Sequence, residues 1–232
     1  TPLHIAVEKH NPDKNNQDIV ELLIFYGAEI NPMDAFGRTP LFYTVENGSF
    51  ELFNVLIKNG ADVNVDDIEG ATPLSLAASL NNIKMGKTLL SKGASAKTHD
   101  PIISTVENDI AEFTRLLLQF GADVEFPTRP SGFLLKVATE NNSVNAGRIL
   151  LKEIYEIEKD YDILKDLFFI ALENDAVEFS NLLKNKGISV FQLDKDGMTA
   201  LHYAVNSGNF ELIKDLVEQG VNPIQQSNDG IA

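Results

Sequence analysis

The sequence predicts an all-α chain, a solenoid of stacked helix-turn-helix units joined by short β-hairpin loops. Three observations carry that prediction. Thr39-Pro40-Leu41 recurs 33 residues later as Thr72-Pro73-Leu74, and again further on as Thr199-Ala200-Leu201. Each of these starts is followed at +21 by a glycine: Gly60, Gly93 and Gly220. Between start and glycine the apolar residues fall at helical spacing, and a fixed period of about 20 to 50 residues determines the whole architecture.

Each unit begins with a short inner helix. Thr39 stands where a hydroxyl can cap a helix, and Pro40 occupies the first helical position, where a missing N–H costs nothing. Leu41 and Thr44 then face inward. After the polar break Asn47-Gly48, the residues Phe50, Phe53, Leu56 and Ile57 predict an amphipathic outer helix. Gly60 ends it as a left-handed cap. The extended stretch from Val63 to Asp67 leads to a tight turn closing near Gly70. One such unit cannot bury its apolar side alone, so neighbours must stack and share a core.

Less regular starts are placed by their downstream glycine or leucine pair. Asp100-Pro101-Ile102 precedes Gly121, Phe133 precedes Leu150-Leu151, and Asp166-Leu167-Phe168 precedes Gly187. Units therefore start near residues 1, 39, 72, 100, 133, 166 and 199, and residues 1–232 are read as a single repeat domain. Three departures mark tolerated irregularities. The first unit carries extra residues around 10–14 between its helices, since Gly27 lies at +26. The interval from Gly93 to Asp100 is cut short, which predicts a missing hairpin tip. Leu151 to Lys165 holds helix formers where a hairpin belongs, which predicts a lengthened second helix in the fifth unit. Both ends cut through the pattern, so a piece of a longer chain is expected.

Thr1-Pro2-Leu3-His4-Ile5-Ala6 resembles the T-P-L-H-x-A signature of the ankyrin repeat, whose period is about 33 residues. Gly60-Ala61-Asp62-Val63-Asn64 and Gly121-Ala122-Asp123-Val124 look like the ankyrin turn out of the outer helix, and Asp34/Gly37, Asp67/Gly70 and Asp194/Gly197 resemble its hairpin tip. The resemblance implies a protein–protein interaction scaffold that holds a partner by its concave groove and hairpin tips. It equally admits a targeting or substrate-recruiting arm of a larger enzyme, or of a microbial or viral effector, whose catalytic domain lies outside this segment. It also makes His4 and His202 structural partners of the Thr1 and Thr199 hydroxyls.

Composition narrows the chemistry. Lys and Arg total 19 against 34 Asp and Glu, a net charge of −15, which repels phosphate backbones and excludes nucleic acid as the expected ligand. No apolar run is long enough to span a bilayer, so membrane insertion is not expected. There is no cysteine, which removes thiolate sites and disulfides and fits a cytoplasmic setting. His10 and His99 lack companions at ligand spacing, and Gly86-Lys87-Thr88 lacks the first glycine of a phosphate loop, because position 81 is Asn81. No catalytic residue, cofactor or metal is therefore expected.

One column points to binding. Seven residues after each start stand Glu8, Glu46, Ser79, Glu107, Glu140, Glu173 and Asn206, and Glu-Asn recurs in register as Glu46-Asn47, Glu107-Asn108, Glu140-Asn141 and Glu173-Asn174. By the resemblance these residues end the inner helices and line the groove, a carboxylate ladder suited to a partner with a basic surface. The tips add Phe36, Arg38 and Ile68, of which Phe36 and Ile68 are apolar where water is expected.

Overall fold

In the computed structural model, which describes residues 1–8, 16–97, 101–125 and 129–230, the chain is built from helix pairs. The first three pairs are α1 (Pro2–Glu8) with α2 (Asn16–Phe25), α3 (Pro40–Glu46) with α4 (Phe50–Lys58), and α5 (Pro73–Ser79) with α6 (Ile83–Ser91). Next come α7 (Pro101–Glu107) with α8 (Ala111–Gln119), and α9 (Phe133–Glu140) with α10 (Val144–Glu153). The last two are α11 (Ile157–Glu173) with α12 (Val177–Lys186), and α13 (Ala200–Asn206) with α14 (Phe210–Glu218). The described residues include no strand, only an isolated bridge between Leu193 and Thr199, so the hairpin loops are tight turns. The chain divides into two compact units: residues 1–105 with 112–123, and residues 106–111 with 124–232.

The repeated columns are buried as their spacing requires. Leu41, Leu74, Leu135 and Leu201 on the inner helices, and Leu56, Leu89, Leu117, Leu150 and Leu183 on the outer ones, are all buried. Each such leucine contributes about 1.5–3 kcal/mol relative to an exposed position. Within a pair, the inner helix turns into the outer one through a residue at positive φ: Gly48, Asn81, Asp109, Asn142, Asp175 and Gly208 occupy that column. Asn and Asp are the non-glycine residues that tolerate this conformation best.

Neighbouring outer helices interlock through a size exchange. Gly86 on α6 lies under the ring of Phe113, and Gly147 on α10 lies under the ring of Phe179. Both rings are fully buried. A large residue on one layer is thus matched by a missing side chain on the layer before it.

Two expectations are corrected. The helix formers after Leu151 do not lengthen the outer helix. α10 stops at Ile154, where the backbone leaves the helical region, and Tyr155 is buried. The extra residues instead precede the sixth inner helix, so α11 starts at Ile157 rather than near 166, with a kink at Asp160. The Asp160 carboxylate accepts the N–H of Glu156 at 2.8 Å and so fixes the new start. Thr39 sits at the N-cap of α3 but its side chain makes no capping bond, and its Oγ1 is buried without a partner. Thr72 and Thr199 do cap, because Ser75 and His202 at the third helical position return a hydrogen bond, whereas α3 has Phe42 there. The inserted loop around 10–14 and the tip expected to be missing near 98–100 lie outside the described residues.

Candidate partner-binding surface

The hairpin tips are rigid for identifiable reasons. In the first, Asp34 Oδ1 accepts from the N–H groups of Phe36 and Arg38 at 2.8 and 3.0 Å, and the Tyr43 hydroxyl donates to Asp34 Oδ2. Burial alone would raise the Asp34 carboxyl, but the bonds from Tyr43, Arg38 and Phe36 together hold it below the ordinary aspartate range. The same contact, with burial and the Asp34 charge, pushes the Tyr43 phenol up to about 12. The arrangement returns in the second compact unit. Asp194 accepts from Asp196 and Met198 N–H groups at 2.8 Å each, and from the Tyr203 hydroxyl at 2.6 Å.

The second tip is held differently. Asp67 accepts from Glu69 and Ala71 N–H groups, but Leu76 stands where tyrosine would be, and Arg38 reaches across from the preceding tip instead. Its Nε lies 3.1 Å from Asp67 Oδ2 and its Nη1 3.3 Å from Glu46 Oε1. Burial opposes the charge on Asp67, yet the Ala71 N–H and the Arg38 guanidinium outweigh it and lower the carboxyl's pKa. Successive tips are also joined by backbone: Ile68 N–H donates to Phe36 O at 2.9 Å, and Asn228 N–H to Asp196 O at 2.9 Å. A Cβ at Gly37 would come within 3.1 Å of Ile68 N, so only glycine, here at φ +75°, allows this approach.

These contacts sort the sequence-predicted residues. Phe36 and Ile68 are 60% and 71% exposed and sit on directly bonded backbone groups, so they form one apolar patch. Arg38 and Glu46 are engaged with each other inside the chain. Glu140 pairs with Lys136 at 3.7 Å one turn back. Glu107 and Glu173 are exposed. The asparagines are mostly fasteners. Asn47 Nδ2 donates to Val7 O at 2.7 Å, Asn141 to Val137 O at 2.9 Å, and Asn174 to Ile170 O at 3.0 Å; Asn108, like Asn174, lies on the exposed surface. The Asn47 bond ties the inner helix α3 to the end of α1, while Asn141 and Asn174 each add a side-chain bond to a carbonyl that already accepts their own backbone N–H.

Sequence reading missed three features. Tyr43 and Tyr203 both stand four residues after a unit start, a recurrence that would have pointed to the tip aspartates. Asn31 and Asn64 stitch successive loops, each donating to the carbonyl of the next helix-ending glycine (Gly60 or Gly93) at 3.1 and 3.0 Å. The third is a cleft of about 630 Å³ beside α13 in the second unit, lined in part by Leu201, Val205 and Asp229. It arises from packing, and no spacing announces it. His4 and His202 are structural: each Nδ1 meets its threonine hydroxyl, at 3.0 and 2.8 Å, and His4 Nε2 donates to Arg38 O. Among the described residues, no three His, Asp or Glu side chains are grouped to hold a metal ion, and no helix is long and apolar enough to cross a membrane.

Comparison with known proteins agrees with this architecture. The family described as ankyrin repeats (3 copies) matches residues 3–100 and 159–227. The mitochondrial disaggregase of Bos taurus is 30% identical over 135 residues, which is 53% of this chain and 18% of that protein. Ankyrin repeat protein nuc-2 of Neurospora crassa is 25% identical over 217 residues, 90% of this chain and 17% of its own length. The chain therefore spans under a fifth of the length of these relatives. The crystal structure of the human ASB11 ankyrin repeat domain superposes with a TM-score of 0.73 at 23% identity, covering 96% of this chain and 99% of that one.

Proposed function

Because the chain belongs to the ankyrin-repeat family, whose members are interaction modules without chemistry in the repeats, we propose that it holds a partner protein through its hairpin tips and inner-helix ends. The observation that carries this reading is the Phe36/Ile68 patch. Its two side chains are exposed on tips that the Asp34, Asp67, Tyr43 and Arg38 contacts make rigid. Rigid, exposed apolar anchors lose little conformational freedom on binding. Exposed Glu107 and Glu173 favour a partner with a basic surface and act on its rate of approach. We place this work in the cytoplasm, or in a host cytosol if the chain is an effector segment.

The test is dissociation kinetics of the isolated partner from the Phe36→Ala/Ile68→Ala double variant. The proposal expects dissociation to be about tenfold faster or more, with association little changed. Unchanged dissociation would remove the tips from the interface.

A second reading has its own support. The bovine disaggregase resembles this chain over only 18% of its length, as expected if such an array can serve as a recruiting arm for an enzyme. The complete reading frame separates the two: a catalytic domain beside the repeats makes the segment an arm, and repeats alone make it a scaffold.

A further inference from the structure

The sequence holds two Asn-Gly pairs, Asn47-Gly48 and Asn59-Gly60. An asparagine before glycine can lose its side-chain amide without an enzyme. The glycine nitrogen, uncrowded by a Cβ, gives its proton to hydroxide and bonds to the asparagine Cγ. The Cγ–Nδ2 bond breaks, and ammonia leaves with a proton taken from water. A further water opens the five-membered ring at either carbonyl, which leaves aspartate or isoaspartate. Of the four Glu-Asn pairs only Glu46-Asn47 precedes glycine. Asn108, Asn141 and Asn174 precede Asp109, Asn142 and Asp175, whose side chains crowd the attacking nitrogen.

The fold holds this reaction off at Asn47. Ring closure needs the Gly48 nitrogen to eclipse the Asn47 Cβ across the Cα–C bond, but at ψ −1° it eclipses the Asn47 nitrogen instead. The side chain is tied at both ends, since Nδ2 donates to Val7 O at 2.7 Å and Oδ1 accepts the Ser49 N–H at 3.0 Å. The Gly48 N–H donates to Val45 O at 3.2 Å. The bond to Val7 crosses to α1, so the amide is freed to turn only when α1 leaves α3. The site is otherwise open to water: Asn47 is exposed, and no atom lies within 4 Å of where a Cβ on Gly48 would stand. Asn59 supplies the comparison. Its ψ of 15° is equally unsuited, but its Nδ2 bonds to Val55 O in its own helix at 2.8 Å, so unwinding the last turn of α4 frees that amide.

The product reverses the contact. A carboxylate in place of the Asn47 amide has no proton for Val7 O. It also adds negative charge beside the C-terminal ends of α1 and α3, where helix dipoles disfavour it and Glu8 and Glu46 already stand. α1 in turn braces the first tip, because His4 Nε2 donates to Arg38 O at 3.0 Å and the His4 ring meets Tyr43 edge-on. We propose that Asn47-Gly48 is a deamidation site gated by α1: the amide is protected while the first helix pair is docked, and its loss weakens that docking. Water is the only co-reactant, and the chemistry holds whatever partner the tips carry.

The test is peptide-mapping mass spectrometry of the 232-residue chain incubated at mildly alkaline pH, with Asn47 and Asn59 followed separately and the urea-unfolded chain as reference. In urea the two asparagines are expected to convert at similar rates. In the folded chain Asn47 is expected to lag Asn59 by about tenfold or more. Leu3→Ala removes a fully buried side chain from α1 and is expected to speed Asn47 about tenfold or more while Asn59 is unchanged. Leu3→Val repeats the comparison more gently if the alanine variant unfolds beyond α1. Asn47→Asp is expected to speed hydrogen exchange of the α1 amides about tenfold and to leave those of α5 and α6 unchanged. Equal rates at Asn47 and Asn59 in the folded chain, acceleration of neither or of both by Leu3→Val, or α1 exchange unmoved by Asn47→Asp would each overturn the proposal. None of these outcomes bears on the Phe36/Ile68 kinetics, which decide the scaffold reading separately.

Discussion

Adding one methyl group at Gly86 tests how the layers are locked together. A Cβ built there would lie 2.3 Å from Cζ and 2.7 Å from Cε2 of Phe113, whose ring is fully buried. Carbon atoms prefer separations of about 3.5–4.0 Å, so the ring would have to retreat by roughly 1 Å in a packed layer. On helix propensity alone, Gly86→Ala would stabilise α6 by about 1 kcal/mol. Overpacking a core costs about 1–3 kcal/mol, so the two effects oppose each other and the clash is expected to win, with a net loss of roughly 1 kcal/mol. Urea unfolding gives the sign directly. Placing the same alanine in a Phe113→Leu background removes the obstructing ring end, and there it should stabilise. The second unit supplies an independent copy, since a Cβ at Gly147 would lie 2.3 Å from Cε2 of Phe179. If Gly86→Ala stabilises the parent chain, the close approach of Phe113 is not what makes glycine necessary.

Two further outcomes follow from single hydrogen bonds. Thr39→Val should be close to neutral, because the Thr39 hydroxyl is buried without a partner, whereas Thr72→Val should lose about 0.5–2 kcal/mol with its cap; paired thermal melts compare them. The Tyr43 phenol is pushed up to about 12 from 10.0 in the folded chain, so the stability it contributes is fully present below pH 10 and is lost as pH rises through 12. The phenolate absorbance difference between the parent and Tyr43→Phe should therefore titrate near 12, and a midpoint near 10 would mean that Asp34 does not hold the hydroxyl.

Much of the fold was legible because a repeat writes its core into fixed columns. Leu56, Leu89 and Leu117 could be named as buried from position alone, as could the left-handed glycines that end the outer helices. The start of α11 was not legible. Helix formers between Leu151 and Lys165 say that a helix forms but not which neighbour it joins, and that was decided by burial of Tyr155 and by Asp160 binding the Glu156 N–H. The candidate surface was half legible. Phe36 and Ile68 stood out as apolar residues on polar tips, and they are exposed there. Arg38 and Glu46 also looked free for a partner, yet they hold each other. Periodicity assigns a residue to a face but cannot show that a long side chain from one tip reaches the next. The Glu-Asn column is likewise split: Asn47, Asn141 and Asn174 spend their amides on backbone carbonyls, while all four glutamates stay exposed, Glu46 beside Arg38 and Glu140 beside Lys136.

Site-specific photo-crosslinking tests most directly the claim that the tips and inner-helix ends hold a partner protein. A photoreactive residue placed at Ala35, on the first tip beside Phe36, or at Glu173, at the end of α11, would sit on the proposed surface. One placed at Ser91, at the end of outer helix α6, would not, and all three positions are exposed. The account predicts crosslinks to the same partner from Ala35 and Glu173 and none from Ser91. A partner captured from Ser91 alone would put the interface on the outer helices and contradict it.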